Sequence, residues 1–316
     1  MMMGSREERV LHVKEMRKAC RRRIEVQRLR SMGLTTENRA LYGNQSSDPH
    51  SSGSSSGSGR SESLSYGQMS IMGRRREMED AVTVVPPWSL AGEYSFFAVY
   101  DGRGGAEVAE KCSDMLYKCL EKHIEMAKKK KKMPDEEKDF DWGKMMVECF
   151  SNMDHEEQEP EAETAAEMGS TAVVVVVGDE EVVVANCGDS RAVLCRHGMA
   201  VPLSTDHTAN RVDERERVEA SGGRIVNWKV DHYLKPEVVV MRRTKSDDFL
   251  IIATDGLWDV VCNQIACEVV KKCLSGGLRR LPSEGSGASE AAAALAELAI
   301  AKGSRDNISV IVVLMN

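Results

Sequence analysis

Apolar residues along the chain fall into short dense blocks separated by charged or glycine-rich stretches. Phe96–Tyr100, Thr171–Val177, Val182–Asn186, Ala192–Arg196, Phe249–Thr254 and Ile308–Leu314 are apolar runs of strand length with few interruptions. Runs of this kind, rich in Val, Ile and Phe and bounded by Gly or Asp, read as strands buried on both faces. Gly178-Asp179 and Glu180-Glu181 between two of them predict a hairpin. Other stretches carry the helical period. Ala106–His123 spaces Val108, Ala109, Cys112, Leu116 and Leu120 along one face behind Gly104-Gly105, and a second helix is predicted around Trp142–Asp154. Asp213–Ser221 reads as a short charged helix ended by Gly222-Gly223, and 263–275 and 289–301 read as further helices. Strands come in blocks and helices in blocks, without regular β-α-β alternation. That order predicts an α+β sandwich with sheets in the middle and helices outside.

The ends of the chain differ in character. Residues 5–31 form a basic helical stretch in which Val10, Val13, Met16, Ile24, Val26 and Leu29 give a partial apolar face beside Arg21-Arg22-Arg23. Either a solvated helix or a nuclear import signal or partner-binding arm accounts for it. Residues 44–65 are rich in Ser and Gly and read as a flexible linker. The predicted organisation is therefore a basic arm over 1–43, a linker over 44–65 and a folded domain over 66–316. Lys128–Lys132 reads as a solvated run and 155–167 as an acidic loop.

Composition narrows the function classes. At 316 residues and 41% hydrophobic the chain can bury a sizeable core, and a net charge of −7 excludes a general nucleic-acid binder. Nine cysteines, an odd number without CxxC pairs or paired His spacing, argue against both a disulfide framework and a zinc site. They read as reduced thiols of a cytosolic or nuclear protein. No apolar run approaches membrane-spanning length and the N-terminus lacks a secretory core, so no membrane partner is expected.

The candidate chemistry lies in four acidic clusters, Glu79-Asp80, Asp101-Gly102, Asp255-Gly256 and Asp306-Asn307. Three of them lie beside a predicted strand, which places their carboxylates at a sheet rim. Carboxylates converging there repel one another unless a cation sits between them, and all-oxygen ligation suits Mg²⁺ or Mn²⁺. Ordinary turn and cap residues are the other reading, because Asp and Asn favour turns.

Taken in order, Arg75-Arg76-Glu77-Met78-Glu79-Asp80, Val99–Gly105, Gly169–Ala172, Ala185–Ala192, Leu203–His207, Ala253–Asp259 and Ser304–Ser309 resemble the metal-dependent type 2C Ser/Thr protein phosphatase family over about 66–316. Gly222-Gly223-Arg224, Trp228, Asp231–Pro236 and the basic arm are similar to the plant branch that acts as abscisic-acid coreceptor. The resemblance implies a two-layer antiparallel β-sandwich flanked by helices, with a dinuclear Mg²⁺ or Mn²⁺ centre at one end. It implies that Asp101 bridges both ions and that Glu79 or Asp80 holds ligands directly or through water. Gly102 offers its carbonyl, Asp255 and Asp306 complete the other ion, Asp189 matches a weaker third site, and Arg75 binds phosphate. It further implies phosphoprotein substrates, protein kinases among them, a hormone-receptor partner meeting Trp228, and residence in nucleus and cytoplasm. No Cys nucleophile is needed, and Cys112, Cys187, Trp258 and Met78 read as packing.

Two departures from the family pattern carry consequences. Arg103 stands inside Asp101-Gly102-x-Gly104-Gly105 where the family usually has His, thought to protonate the leaving alkoxide. Arginine stays charged and is a poor general acid, so phosphate binding can outlive turnover. Between Trp228 and Asp231, where the family carries another strand and a loop, only Lys229-Val230 remain, and a further short piece is absent between Pro236 and Glu237. A strand missing from a sheet leaves ladder donors and acceptors to be paired elsewhere. An active phosphatase and an impaired phosphatase-like binding protein are both compatible with these residues.

Overall fold

A computed structural model describes residues 64–130, 140–156, 168–208, 211–220, 225–226, 229–230, 235–276 and 286–315. The basic arm, residues 44–63 of the predicted linker and Trp228 lie outside the described residues; Leu64, within that linker, is instead buried in the core between the sheets. In chain order the elements are β1 (Tyr66–Ile71), β2 (Asp80–Leu90), β3 (Tyr94–Arg103), α1 (Glu107–Lys130), α2 (Trp142–Glu156), β4 (Gly169–Ser170), β5 (Ala172–Val177), β6 (Glu181–Cys187), β7 (Arg191–Arg196) and β8 (Met199–Pro202). They continue with α3 (Val212–Ala220), β9 (Ile225–Val226), β10 (Lys229–Val230), β11 (Glu237–Arg242), β12 (Asp247–Ala253), α4 (Asp255–Trp258), α5 (Asn263–Leu274), α6 (Gly287–Lys302) and β13 (Ile308–Leu314).

Two antiparallel sheets result, ordered β1-β13-β12-β7-β8 and β11-β6-β5-β3-β2, with β4 pairing the end of β3. The predicted sandwich is therefore present. Side chains that alternate along each strand decide what each sheet touches. On β3, Phe97 and Val99 point into the core between the sheets, where they meet Val173, Val175, Leu194, Leu250, Ile252 and Ile311. Their neighbours Phe96, Ala98 and Tyr100 point the other way, against Leu116, Leu120 and Ile124 of α1 and Met146 and Phe150 of α2. The second sheet repeats the pattern: Ile251, Val310 and Val312 pack beneath Val270 of α5 and Leu295 and Ala296 of α6. Each central strand is thus buried on both faces, which is why the sequence shows unbroken Val and Ile runs there. α6 is capped at both ends, by Ser286 Oγ accepting from Ser289 N at 3.3 Å and by Gly303 in the left-handed region at φ 102°.

The edges differ from the centre. β2 is an edge strand that contains Pro86 and Pro87, and its register with β3 shifts between Val85 and Leu90. β11 closes the other edge, pairing with β6 from Glu237↔Asn186 to Arg242↔Glu181, and leaves Val239 and Val240 exposed. Upstream of it, β9 and β10 pair with each other, Lys229↔Val226 and Val230↔Ile225, with Lys229-Val230 of the shortened stretch forming β10.

Candidate metal centre

The rim of the sandwich collects the acidic residues because several strands end or begin there. Asp101 sits near the end of β3, directly opposite Asp80 at the start of β2. Asp255 opens α4 immediately after β12, and Asp306 lies two residues before β13. Asp189 lies in the turn between β6 and β7. One carboxylate oxygen from each of Asp101, Asp189 and Asp255 falls within 4.8 Å of the others. Asp189, expected at a weaker third ion, stands in this trio beside Asp101 and Asp255.

Neutral side chains fix this arrangement. Asn307 is buried and uses its whole amide: Nδ2 donates to Met72 O at 2.9 Å and Glu77 O at 3.0 Å, while Oδ1 accepts from Glu79 N at 2.8 Å. It fastens the loop carrying Arg75 and Glu79 to the start of β13. Thr254 Oγ1 donates to Asp80 Oδ2 at 3.0 Å and accepts from Ser309 N at 3.1 Å. Thr171 Oγ1 accepts from Asp101 N at 3.2 Å and contacts Ser190 Oγ at 2.8 Å, tying β3 to the turn that carries Asp189. Two glycines permit the close approaches. A Cβ on Gly256 would overlap the Asn307 carbonyl, and one on Gly102 would overlap the Glu79 carbonyl and lie 2.8 Å from Gly105 O.

The two arginines occupy different settings. Arg75 is half-exposed and donates through Nη2 to Asp306 Oδ2 at 2.6 Å. Arg103 is exposed at the end of β3, where its backbone pairs with Gly169. Glu79 is half-buried, and its charge acts on Arg75.

Some contributors carried no role in the sequence reading. Asp259 caps the end of α4, and burial followed by the charges of Asp306 and Asp206 pushes its carboxyl up. Its i,i+4 spacing from Asp255 was the available signal. Arg191 donates to Asp206 Oδ1 at 2.9 Å and to Asn263 Oδ1 at 2.7 Å, and stacks 5.3 Å from the Trp258 ring. Trp258 is buried with Nε1 donating to Ala253 O at 2.9 Å, which supports its reading as packing. Cys112 and Cys187 are only half-buried, against the helix-side cluster, rather than deep in the core.

A model of the protein phosphatase 2C family matches residues 64–235 and 232–308. The chain belongs to the protein phosphatase 2C family. "Probable protein phosphatase 2C 8" of Oryza sativa subsp. japonica is 45% identical over 299 residues, covering 79% of this chain and 74% of that protein. "Probable protein phosphatase 2C 24" of Arabidopsis thaliana is 41% identical over 289 residues, 78% of each chain. Among solved structures, the serine-threonine phosphatase 2C from Toxoplasma gondii shares the fold with a TM-score of 0.65 at 22% identity, over 80% of this chain and 95% of that one. The catalytic domain of serine/threonine protein phosphatase PstP, in complex with two manganese ions, gives 0.54 at 21% identity over 80% and 98%. The chain is accordingly a protein serine/threonine phosphatase of a metal-dependent family, with plant relatives.

The electrostatics of this type 2C phosphatase suit a cation at the rim. Burial, and then the neighbouring acidic groups, push the Asp80 and Asp101 carboxyls up to about 7 and Asp255 to about 9. Asp80 Oδ1 and Asp255 Oδ1 are buried without a hydrogen-bond partner. Buried carboxylate oxygens without a hydrogen-bond partner are the kind of donor a hard divalent ion takes.

A pH dependence follows with a definite sign. These carboxyls hold protons in the folded chain up to about pH 7–9 but release them near pH 4 when unfolded. Between those limits the folded state binds more protons, so raising the pH lowers the stability of the metal-free protein. In chelator, the melting temperature at pH 8.5 is expected to fall below that at pH 6 by about 5 °C or more, roughly 2 kcal/mol in a domain of this size. Saturating Mg²⁺ should restore more of it at pH 8.5 than at pH 6. Equal melting temperatures in chelator at the two pH values would refute the assignment of strained carboxyls.

Proposed function

We propose that this phosphatase hydrolyses phosphoserine and phosphothreonine in proteins with two divalent ions, Mg²⁺ or Mn²⁺, held by the rim carboxylates. The observation that carries the reading is the convergence of Asp101, Asp189 and Asp255 from three separate parts of the chain. The two manganese ions of PstP support the two-ion count. Asp101 would be shared by both ions, Asp255 and Asp306 would hold one, Glu79 or Asp80 with the Gly102 carbonyl would hold the other, and Asp189 would serve a weaker third. Bound ions would supply a water of lowered pKa and neutralise the charge of the phosphoryl oxygens.

The chain's own residues do the rest. Arg75 offers a planar fork for two phosphoryl oxygens, and its present partner Asp306 is one of the carboxylates assigned to an ion. Were Asp306 to hold a cation, the Arg75 guanidinium would be free to bind the substrate. The loop fastened by Asn307 keeps Arg75 in reach without tying up its charge. Arg103 contributes charge at the rim but no transferable proton.

The fuller setting is a role as negative regulator in abscisic-acid signalling, acting on protein kinases in nucleus and cytoplasm and docking a hormone receptor through Trp228. Similarity of Gly222-Gly223-Arg224, Trp228 and the basic arm to the coreceptor branch supports it. One observation favours a second reading. Arg103 in place of His removes the positioned acid, which leaves a chain that binds phosphoprotein and receptor with impaired turnover. A metal-titrated assay with a phosphopeptide and with a small phosphate ester separates the two, and also separates both from a small-molecule phosphatase.

Three substitutions carry the test further. Asp101→Ala should abolish metal-stimulated phosphopeptide hydrolysis, because it removes the carboxylate that both ions share; retained activity would sink the dinuclear assignment. Arg103→His should raise kcat by about tenfold or more with metal affinity unchanged, since it restores a titratable acid without touching a ligand. A fall in kcat would show that Arg103 has a catalytic role of its own. Trp228→Ala should weaken receptor binding by about 2 kcal/mol, as an exposed indole at an interface centre does. Basal hydrolysis should stay intact. Calorimetry with saturating hormone reads the difference, and equal affinities would remove Trp228 from the interface.

A further inference from the structure

The helix pair on the outer face of the β11-β6-β5-β3-β2 sheet carries a second group of ligand-type side chains, of different chemistry from the rim. Cys119 and His123 stand at i,i+4 on α1, a spacing that places both on one face of the helix. Cys149 of α2 comes against them. The two sulfurs and one imidazole nitrogen lie within 4.8 Å of one another. In a tetrahedral site, with Zn–S near 2.3 Å and Zn–N near 2.0 Å, ligand atoms stand about 3.5–3.8 Å apart. Closing the trio needs about 1 Å of side-chain movement.

The surroundings match what such a site requires. Glu148 Oε2 lies 3.4 Å from His123 Nδ1, where it can fix the tautomer and orientation of the ring. Asn152 Nδ2 donates to Cys119 Sγ at 3.6 Å, which favours the thiolate. Cys149 is buried and Cys119 half-buried, so the trio has a dry floor and an open side for entry. Paired zinc spacing is absent from the sequence because the ligands are divided between two helices, one on each side of the 131–139 connection.

We propose that Cys119, His123 and Cys149 form a zinc site that clamps α1 to α2, with the fourth position open to water. Two thiolates and an imidazole select a thiophilic ion, whereas the all-oxygen rim selects Mg²⁺ or Mn²⁺. The chain would then hold two metal chemistries that do not compete. This inference is independent of the proposed phosphatase mechanism, since none of its residues belongs to the rim.

Cobalt provides the probe. The full chain is stripped with chelator, kept reduced with a phosphine, supplied with Mg²⁺ to fill the rim, and titrated with Co²⁺. A thiolate-to-cobalt charge-transfer band in the near ultraviolet is expected, abolished by one equivalent of Zn²⁺. Cys119→Ser and His123→Ala should lose that band, and Glu148→Gln should weaken zinc binding by about tenfold. A far-ultraviolet circular-dichroism spectrum and a cooperative melt equal to wild type in all three variants, both recorded in chelator, report that the fold is intact. Wild type without the band, or a band of undiminished strength in Cys119→Ser or in His123→Ala, overturns the site.

Discussion

Mutual repulsion among buried carboxylates is the constraint around which this molecule is arranged. Asp80, Asp101, Asp189 and Asp255 are drawn to one rim by strand ends and turns far apart in sequence, and burial makes their charges costly. A protein could relieve that cost by placing cations between them. Here the groups that touch them are largely neutral: Thr254 on Asp80, the Thr171 hydroxyl on the Asp101 backbone, and Asn307 behind the Arg75–Glu79 loop. Neutral clamps hold geometry without cancelling the negative field, which leaves the field available to divalent ions. Arg75 is a nearby cation that pairs with the cluster, and being half-exposed its ion pair is readily exchanged.

The stability that tolerates such a site comes from the layers behind it. Phe97, Val175, Leu250 and Ile311 fill the space between sheets, and each sheet also has helices on its outer face. Locally unfavourable sites persist when the surrounding structure over-determines them. Asp101, Asp255 and Asp306 lie at the ends of β3, β12 and β13, whose interiors are buried, so their positions are set by ladders that do not depend on the site.

That division also explains what could be read from the sequence. β3, β5, β12 and β13 were legible because both of their faces are buried, which turns alternation into continuous apolar runs. Asp101, Asp255 and Asp306 were legible with them, as polar residues at the ends of such runs. β2 was not, since Pro86-Pro87 and a mixed burial pattern conceal a strand that pairs only at the sheet edge. β11 was hidden for a related reason: Val239 and Val240 face outward, so its composition reflects pairing rather than core. The clamping role of Asn307, the contribution of Asp259, and the meeting of Cys119 and His123 with Cys149 are tertiary facts. Periodicity fixes which face a residue takes on its own element, and says nothing of which element it will meet.

The same separation between scaffold and site bears on Arg103. Its contribution to the fold is a backbone pairing with Gly169, which any residue can make, and its side chain stands exposed. Substitution there leaves β3, Asp101 and the Gly102 carbonyl where they are. Under the proposed mechanism, ligand geometry and proton delivery are therefore separable at this rim: the carboxylates and Arg75 would hold the phosphate, while position 103 would decide whether a leaving alkoxide receives its proton. On that proposal, exchange of this one residue would cost turnover and spare binding. By the same reasoning, turnover can be regained without rebuilding the centre.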